Sequence, residues 1–408
     1  MSFDFTPLLR PDLPPAAPGR REGFPRYNFV GGHNDAEHFP VEGFIEASRS
    51  VLTREGPTLA HYGVGDGPLG YRPLRQFVAD TLRQRTGMDG SADDVLIVSG
   101  SLQALDLVNA VFVGEGDTVI VEEATYQGAI SRLQRLGANV VGAPLDDGGI
   151  RMDSLDAILS DLKSKGVTPK YIYTVPTVQN PTGSVMTEDR RLELLRLARA
   201  YDTVIFEDDC YADLTFDGTR PRSIRALDDG GQQVVYCGSF SKTIAPALRL
   251  GFLVADWPLM SRILPMKTDA GTDALSQMIM AEYCATDFDD HVTALQQTLK
   301  VKCETMIETL AAEFGTAAEV AMPEGGIVVW VTLPDNVDTM KLYEAALEEG
   351  VAINPGEEWM ADAAAGKHRL RLCYASSTIE DIRGGVARLA DVCRREFGVP
   401  VRSGNIER

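Results

Sequence analysis

The chain has 408 residues, 44% of them hydrophobic, and 59 acidic against 39 basic side chains give it a formal net charge of −20. That charge excludes tight binding to a nucleic-acid backbone or an anionic membrane, whose phosphates would repel it. The length exceeds one small core, so two domains, or a large α/β domain with a lobe, are expected.

Residues 1 to about 27 are rich in proline and arginine and are expected to form an irregular arm. The first 23 residues have no long apolar core, so neither a signal peptide nor a membrane anchor is expected there. From about residue 90, β-branched runs alternate with helical patterns. VLIVSG (95–100), TVIVEE (118–123), YIYTV (171–175), TVIFEDD (203–209), VVYCGSF (234–240) and LGFLVA (250–255) read as strands. Most are nearly continuous apolar runs, as strands covered on both faces require. Leu105, Val108 and Phe112, at three-and-four spacing, and residues 190–200 read as helices between them. The alternation predicts βαβ units and a mostly parallel sheet. A long helical stretch from about 272 to 318 then precedes GGIVVWVTLP (325–334) and HRLRLCYA (368–375). These two strands predict a smaller α+β domain, which the N-terminal segment could join.

Six cysteines (Cys210, Cys237, Cys284, Cys303, Cys373, Cys393) are scattered without a CxxC pair or a histidine cluster, so no metal site is expected. Their apolar surroundings favour buried free thiols and a reducing compartment. No stretch approaches the ~20 apolar residues of a spanning helix, and a cytoplasmic protein is expected.

Ligands of open α/β sheets collect at the carboxyl ends of the strands. There this sequence places Ser99-Gly100-Ser101, Glu122-Glu123 with Tyr126 close behind, Asn180-Pro181-Thr182-Gly183, Asp208-Asp209, and Ser239-Phe240-Ser241-Lys242. Each is ordinary alone: a lysine after a strand is usually solvated, an acidic pair often caps a turn, and NPTG is turn chemistry. Together they supply an amine able to form an imine and a carboxylate for a ring nitrogen. They also supply hydroxyls with Arg249 for a phosphate, and an aromatic side chain to stack on a ring. A pyridoxal 5′-phosphate cofactor asks for these parts.

The motifs FVGGHNDAEHFP, HYG, SGSLQAL, EEATYQG, VQNPTG, FEDDCY, GSFSKTIAPALRLG, EGGIVVWVTLP and RLRLCYASS follow one another from Phe29 to the C-terminal region. With them the chain resembles the fold-type I pyridoxal-phosphate enzymes of the class I/II aminotransferase family. The likeness points to the branch of 2-aminoadipate and kynurenine aminotransferases and the aminotransferase-like domains of MocR regulators. The resemblance implies a large domain with a mostly parallel seven-stranded sheet plus a smaller α+β domain. It divides the chain into 1–57 (arm and part of the small domain), 58–290 (cofactor domain) and 291–408 (small domain).

The resemblance also implies roles. Lys242 matches the lysine that forms the internal aldimine and moves the proton between Cα and C4′. Asp208, three residues before Tyr211, matches the carboxylate that keeps the pyridine nitrogen protonated, with Asp209 as the competing candidate. Tyr211 and Asn180 match the partners of the phenolate oxygen, and Tyr126 the stacked aromatic. Ser101 and the amide of Leu102, opening a helix, match the phosphate cup, a natural anion site. Ser239, Ser241 and Arg249 complete it. Tyr62 matches a tyrosine reaching the neighbouring subunit's phosphate, so a homodimer with shared sites is implied. Arg371 matches the arginine that grips the substrate carboxylate, ahead of Arg369 two residues away, and Gly32 and His33 lie in the matching substrate loop. The implied reaction is ping-pong transfer from an L-amino acid to a 2-oxo acid through pyridoxamine phosphate.

Two places depart from the family pattern. His33 stands where a proline or small residue is common, and VGDGPLG (64–70) is a local insertion. Histidine titrates near neutrality, so His33 keeps open an oxidase or oxidative decarboxylase that uses O₂. A MocR-like sensing domain is a third reading; the chain shows no helix-turn-helix extension. The amino-acid substrate is not specified.

Overall fold

The computed structural model describes residues 3–10, 13, 16, 23, 25–230 and 232–401; the rest of the expected N-terminal arm lies outside them. The apolar runs form a seven-stranded sheet: β1 (Val95–Val98), β2 (Thr118–Glu122), β3 (Asn139–Ala143), β4 (Tyr171–Thr174), β5 (Val204–Asp208), β6 (Val234–Ser239) and β7 (Gly251–Val254). Their order is β1-β7-β6-β5-β4-β2-β3. Only β7 runs against its neighbours in this sheet; the other pairings are parallel. Strands β1, β2, β4, β6 and β7 are buried throughout, as their unbroken apolar runs demand. The edge strand β3 was not evident in the sequence. Half-exposed, and carrying an asparagine and a glycine in NVVGA, it lacks that signal.

The reversed β7 positions the site. Gly251 at its start lies opposite both Val98 at the end of β1 and Ser239 at the end of β6. The loops after β1 and β6 and the loop before β7 therefore open at one edge of the sheet.

The predicted small-domain strands appear as Val328–Thr332 and Arg369–Cys373, flanked by Glu319–Val320 and Asn354–Pro355 in a four-stranded antiparallel sheet. Tyr27–Asn28 pairs with Val351–Ala352, and Phe29 hydrogen-bonds to both Ala352 and Cys373. The N-terminal segment thus pairs with this second unit. The helix Ala274–Phe314 runs through the expected 290/291 boundary and packs on the helix Ile379–Phe397. Phe29, Leu96, Phe206, Leu299 and Leu372 belong to one buried cluster, so a single apolar core reaches both sheets. All six cysteines are buried free thiols. No described helix is long and apolar enough to cross a membrane.

Candidate active site

At the open edge lies a cavity of about 110 Å³. Ser101, Leu102, Tyr126, Asn180, Asp208, Tyr211, Ser241, Lys242 and Arg249 line it, with Val175, Cys210 and Pro246. Five separate strand ends supply these side chains, and the sheet brings them together.

The helix Ser101–Phe112 begins at the cavity without a side-chain cap; the Gln103 N–H donates to the Gly100 carbonyl at 3.0 Å, which leaves the amides of Ser101 and Leu102 for a ligand. Gly100, at φ 78°, makes the turn into it. A Cβ on Gly100 would strike the Arg249 guanidinium, which donates to the carbonyls of Ser99 and Pro246 and lies against that turn. Unpaired amides, a helix N-terminus and a fixed cation make an anion cup. Ser241 faces it. Ser239 does not line the cavity; its Oγ accepts the Ser241 N–H at 3.1 Å and so braces the cup from the strand.

Lys242 points into the cavity and its Nζ donates to the Gly32 carbonyl at 2.8 Å. Burial pushes its amine below the ordinary lysine range. A Cβ at Gly32 would overlap Nζ and push the lysine tip from its present place.

The adjacent acids at the end of β5 have opposite fates. Asp208 is buried; its Oδ2 accepts from the Tyr173 phenol at 2.7 Å, while Oδ1 has no hydrogen-bond partner. Burial raises its pKa, opposed first by the Cys210 thiol and then by the Tyr173 phenol and the Cys210 amide beside it. Asp209 faces away, accepting from the Tyr236 hydroxyl at 3.0 Å and lying 3.6 Å from Arg220. Consecutive strand residues point to opposite faces, and the face of Asp208 carries the cavity.

Across from the sheet, Asn180 donates to the Tyr211 hydroxyl at 3.2 Å and accepts from Arg371 Nε at 3.1 Å. Arg371, only 2% exposed, also donates to Asn354 Oδ1 and to the Gly31 carbonyl, both at 2.9 Å. Its guanidinium stacks 4.2 Å from the Trp359 ring centre, and Trp359 in turn lies 6.1 Å from Tyr126. Arg369 instead lines a separate groove with Trp330 and Thr332. Asn354, Trp359 and Tyr173 were not singled out in the sequence. Only the period-two pattern of YIYT, carrying Tyr173 to the end of a buried strand, hinted at the last.

Tyr62 stands apart. It is 91% exposed and lines a different groove, beside Gly67 and Lys267. The 64–70 insertion forms that groove's rim, with positive φ at Val64, Gly65, Gly67 and Gly70. The His33 ring folds back on Gly31, where a Cβ would come within 3.1 Å of Nε2, and His33 is not among the cavity's lining residues.

The donor set suits pyridoxal phosphate. A buried acceptor with no partner fits a protonated ring nitrogen, the open helix end fits a phosphate, and a desolvated amine lies between them. Residues 31–389 match the family Aminotransferase class I and II. The chain is 36% identical to aromatic-amino-acid aminotransferase 1 of Thermococcus litoralis, over 91% of this chain and 88% of that one. It is 34% identical to the 2-aminoadipate transaminase of Thermus thermophilus, over 89% and 88% respectively. Its fold superposes on the crystal structure of the T. thermophilus α-aminoadipate aminotransferase LysN, complexed with N-(5′-phosphopyridoxyl)-L-leucine. There the TM-score is 0.84 at 33% identity, covering 91% of this chain and 93% of that one. The multiple-substrate aminotransferase of Thermococcus profundus gives a TM-score of 0.86 at 35% identity, covering 92% and 93%.

Proposed function

The chain belongs to the class I and II aminotransferase family, and from that premise we propose the part each of its own residues takes in the transfer. The protein is a pyridoxal-phosphate-dependent aminotransferase that moves an amino group from an L-amino acid to a 2-oxo acid. Bound cofactor supplies an aldehyde that bonds an amine and a ring that takes up the electrons left when a Cα–H bond breaks. Lys242 would hold it through Nζ, and the same atom is the base that removes the donor's Cα proton. Burial favours that role by lowering the amine's pKa and so favouring its neutral form. Asp208 Oδ1 would pair with the ring nitrogen, and Tyr211 and Asn180 with the phenolic oxygen. The amides of Ser101 and Leu102, Ser241 and Arg249 would hold the phosphate.

Arg371 binds the α-carboxylate of either substrate with its fork. A carboxylate oxygen takes the place of the Gly31 carbonyl on Nη2, exchanging a neutral acceptor for a charged one. Gly32 shapes the cavity over Nζ. Tyr126, which lines the cavity, would stack on the ring. Aromatic and 2-aminoadipate-type amino acids are the donors to expect, since the relatives at 36% and 34% identity bear those names. Tyr62, nearly fully exposed, is in place to serve a neighbouring copy, so the working assembly is a homodimer with shared sites.

One observation carries these roles: Lys242 Nζ, the bare oxygen of Asp208 and the open helix end at Ser101 share one cavity. The test is a half-reaction without oxygen. Holoenzyme mixed with single L-amino acids should pass from its visible cofactor band to the pyridoxamine form, and a 2-oxo acid should restore it. Turnover that consumes O₂ and needs no 2-oxo acid would overturn the transfer in favour of the oxidase that His33 kept open.

A further inference from the structure

We propose that Tyr173 is a positioning residue for the cofactor: its phenol fixes the Asp208 carboxylate by saturating Oδ2 and leaving Oδ1 bare toward the ring nitrogen. The inference rests on the assignment of Asp208 to that nitrogen.

The strand register makes the contact. Tyr173 on β4 lies opposite Phe206 on β5, and Asp208 follows Phe206 by two residues on the same face. From this diagonal position the phenol reaches Oδ2 at 2.7 Å. The ring cannot drift, because it is fully buried and set edge-on against Phe206, 5.7 Å between centres at 79°. Burial and the Asp208 charge hold the phenol well above its ordinary pKa, so it stays an O–H donor. Its partner oxygen is thereby satisfied, while Oδ1 of the same carboxylate is buried without a partner. The Tyr173 bond to Oδ2, with the Cys210 thiol and amide beside the carboxylate, favours the orientation in which Oδ1 is left for a ligand in the cavity.

The same strand provides a control. Tyr171, also fully buried, packs on Phe206 at 5.9 Å and 83°, and its hydroxyl donates to Asn109 instead of Asp208. Two buried phenols thus share one strand, one face and one aromatic neighbour. Only one reaches the carboxylate.

The experiment titrates full-length wild type, Tyr173→Phe, Tyr171→Phe and Asp208→Asn with pyridoxal phosphate. It follows the dissociation constant by protein fluorescence and the pH dependence of the bound cofactor's visible absorbance. Tyr173→Phe should weaken cofactor binding by about tenfold, as loss of a hydrogen bond to a buried charge does. It should also move the absorbance titration by about half a pH unit or more. Tyr171→Phe should leave both at wild type. The proposal is overturned if Tyr173→Phe matches wild type, or if the two phenylalanine variants shift alike, which is the mark of a packing effect. If Tyr173→Phe is silent while Asp208→Asn shifts both readings, the positioning role alone fails. If Asp208→Asn is silent too, the assignment of Asp208 to the ring nitrogen fails with it.

Discussion

Around Lys242, one wall of the cavity comes from the carboxyl edge of a single sheet and the other from segments gathered across the whole chain. On the sheet wall, Ser101, Tyr126, Asp208 and Lys242 each follow or end a strand whose backbone ladder fixes its position. On the opposite wall, Arg371 meets Gly31 across 340 residues, Lys242 meets Gly32 across 210, and Lys302 meets Asp35 across 267. The sheet wall is held by hydrogen bonds that would form without any ligand. The N-terminal part of the second wall is held by a few side-chain bonds, the short pairing of Tyr27–Asn28 with Val351–Ala352, and the Phe29 backbone bonds to Ala352 and Cys373. Cofactor binding and substrate binding should therefore be separable by mutation.

The largest effect is expected where the walls meet. Lys242→Ala should lower kcat by ~1000-fold or more, the scale of a lost general base, and borohydride should no longer fix the cofactor to residue 242. A variant that still transaminates at a comparable rate would deny the lysine its place at the junction. Next, Arg371→Lys keeps the charge but loses the fork, which guanidinium alone presents to a carboxylate. It should lower kcat/KM for amino donors by about 100-fold, while the dissociation constant of pyridoxal phosphate stays put. If cofactor affinity falls in step, the two walls are one unit and the comparison breaks.

Lys302→Met probes the far anchor of the second wall. Lys302 donates to Asp35 at 2.9 Å and to the Ala375 carbonyl at 2.8 Å, with both side chains of the pair buried. Removing the cation leaves the buried carboxylate with only the Glu37 amide and the His38 ring, so about 3 kcal/mol of stability should be lost, read from chemical denaturation. The rise in donor KM should outrun any change in cofactor affinity.

The smallest effect is one of pH. Burial raises the Asp35 carboxyl, but the hydrogen bond and charge of Lys302, the Glu37 amide and the His38 charge together outweigh it and leave the group below its ordinary range. A depressed acid adds stability above its unfolded pKa and loses it as pH falls through the folded value. On acidification below the ordinary carboxylate range, donor KM should climb while the cofactor stays bound. A KM flat through that range would show that the Asp35–Lys302 pair does not govern the second wall.

The sequence made the sheet wall legible because each functional residue there sits at a strand end, where apolar runs stop and polar residues begin. Lys242, Asp208 and Asn180 lie where that pattern placed them. The choice between Asp208 and Asp209 became geometric only once β5 was built, since a one-residue step turns a side chain to the other face. Ser239 moved from the cup to the strand behind it for a related reason: its hydroxyl already accepts the Ser241 amide. Strand β3 was invisible because an edge strand with one solvated face carries no continuous apolar run. Asn354 and Trp359 had no strand-end signal either, since they belong to a unit that packs on the cavity only after folding.

By itself, then, the sequence determined a parallel α/β sheet, an acidic surface and a set of strand-end residues suited to pyridoxal phosphate, because alternation of strands and helices and the chemistry at strand ends are local properties. Tertiary structure alone decided which oxygen of Asp208 stays bare, that Gly31 and Gly32 cover Arg371 and Lys242, and that Arg371 rather than Arg369 bonds Asn180 of the cavity lining. Those outcomes depend on strand register and on contacts closed across hundreds of residues, and no local pattern encodes the distance between two such segments.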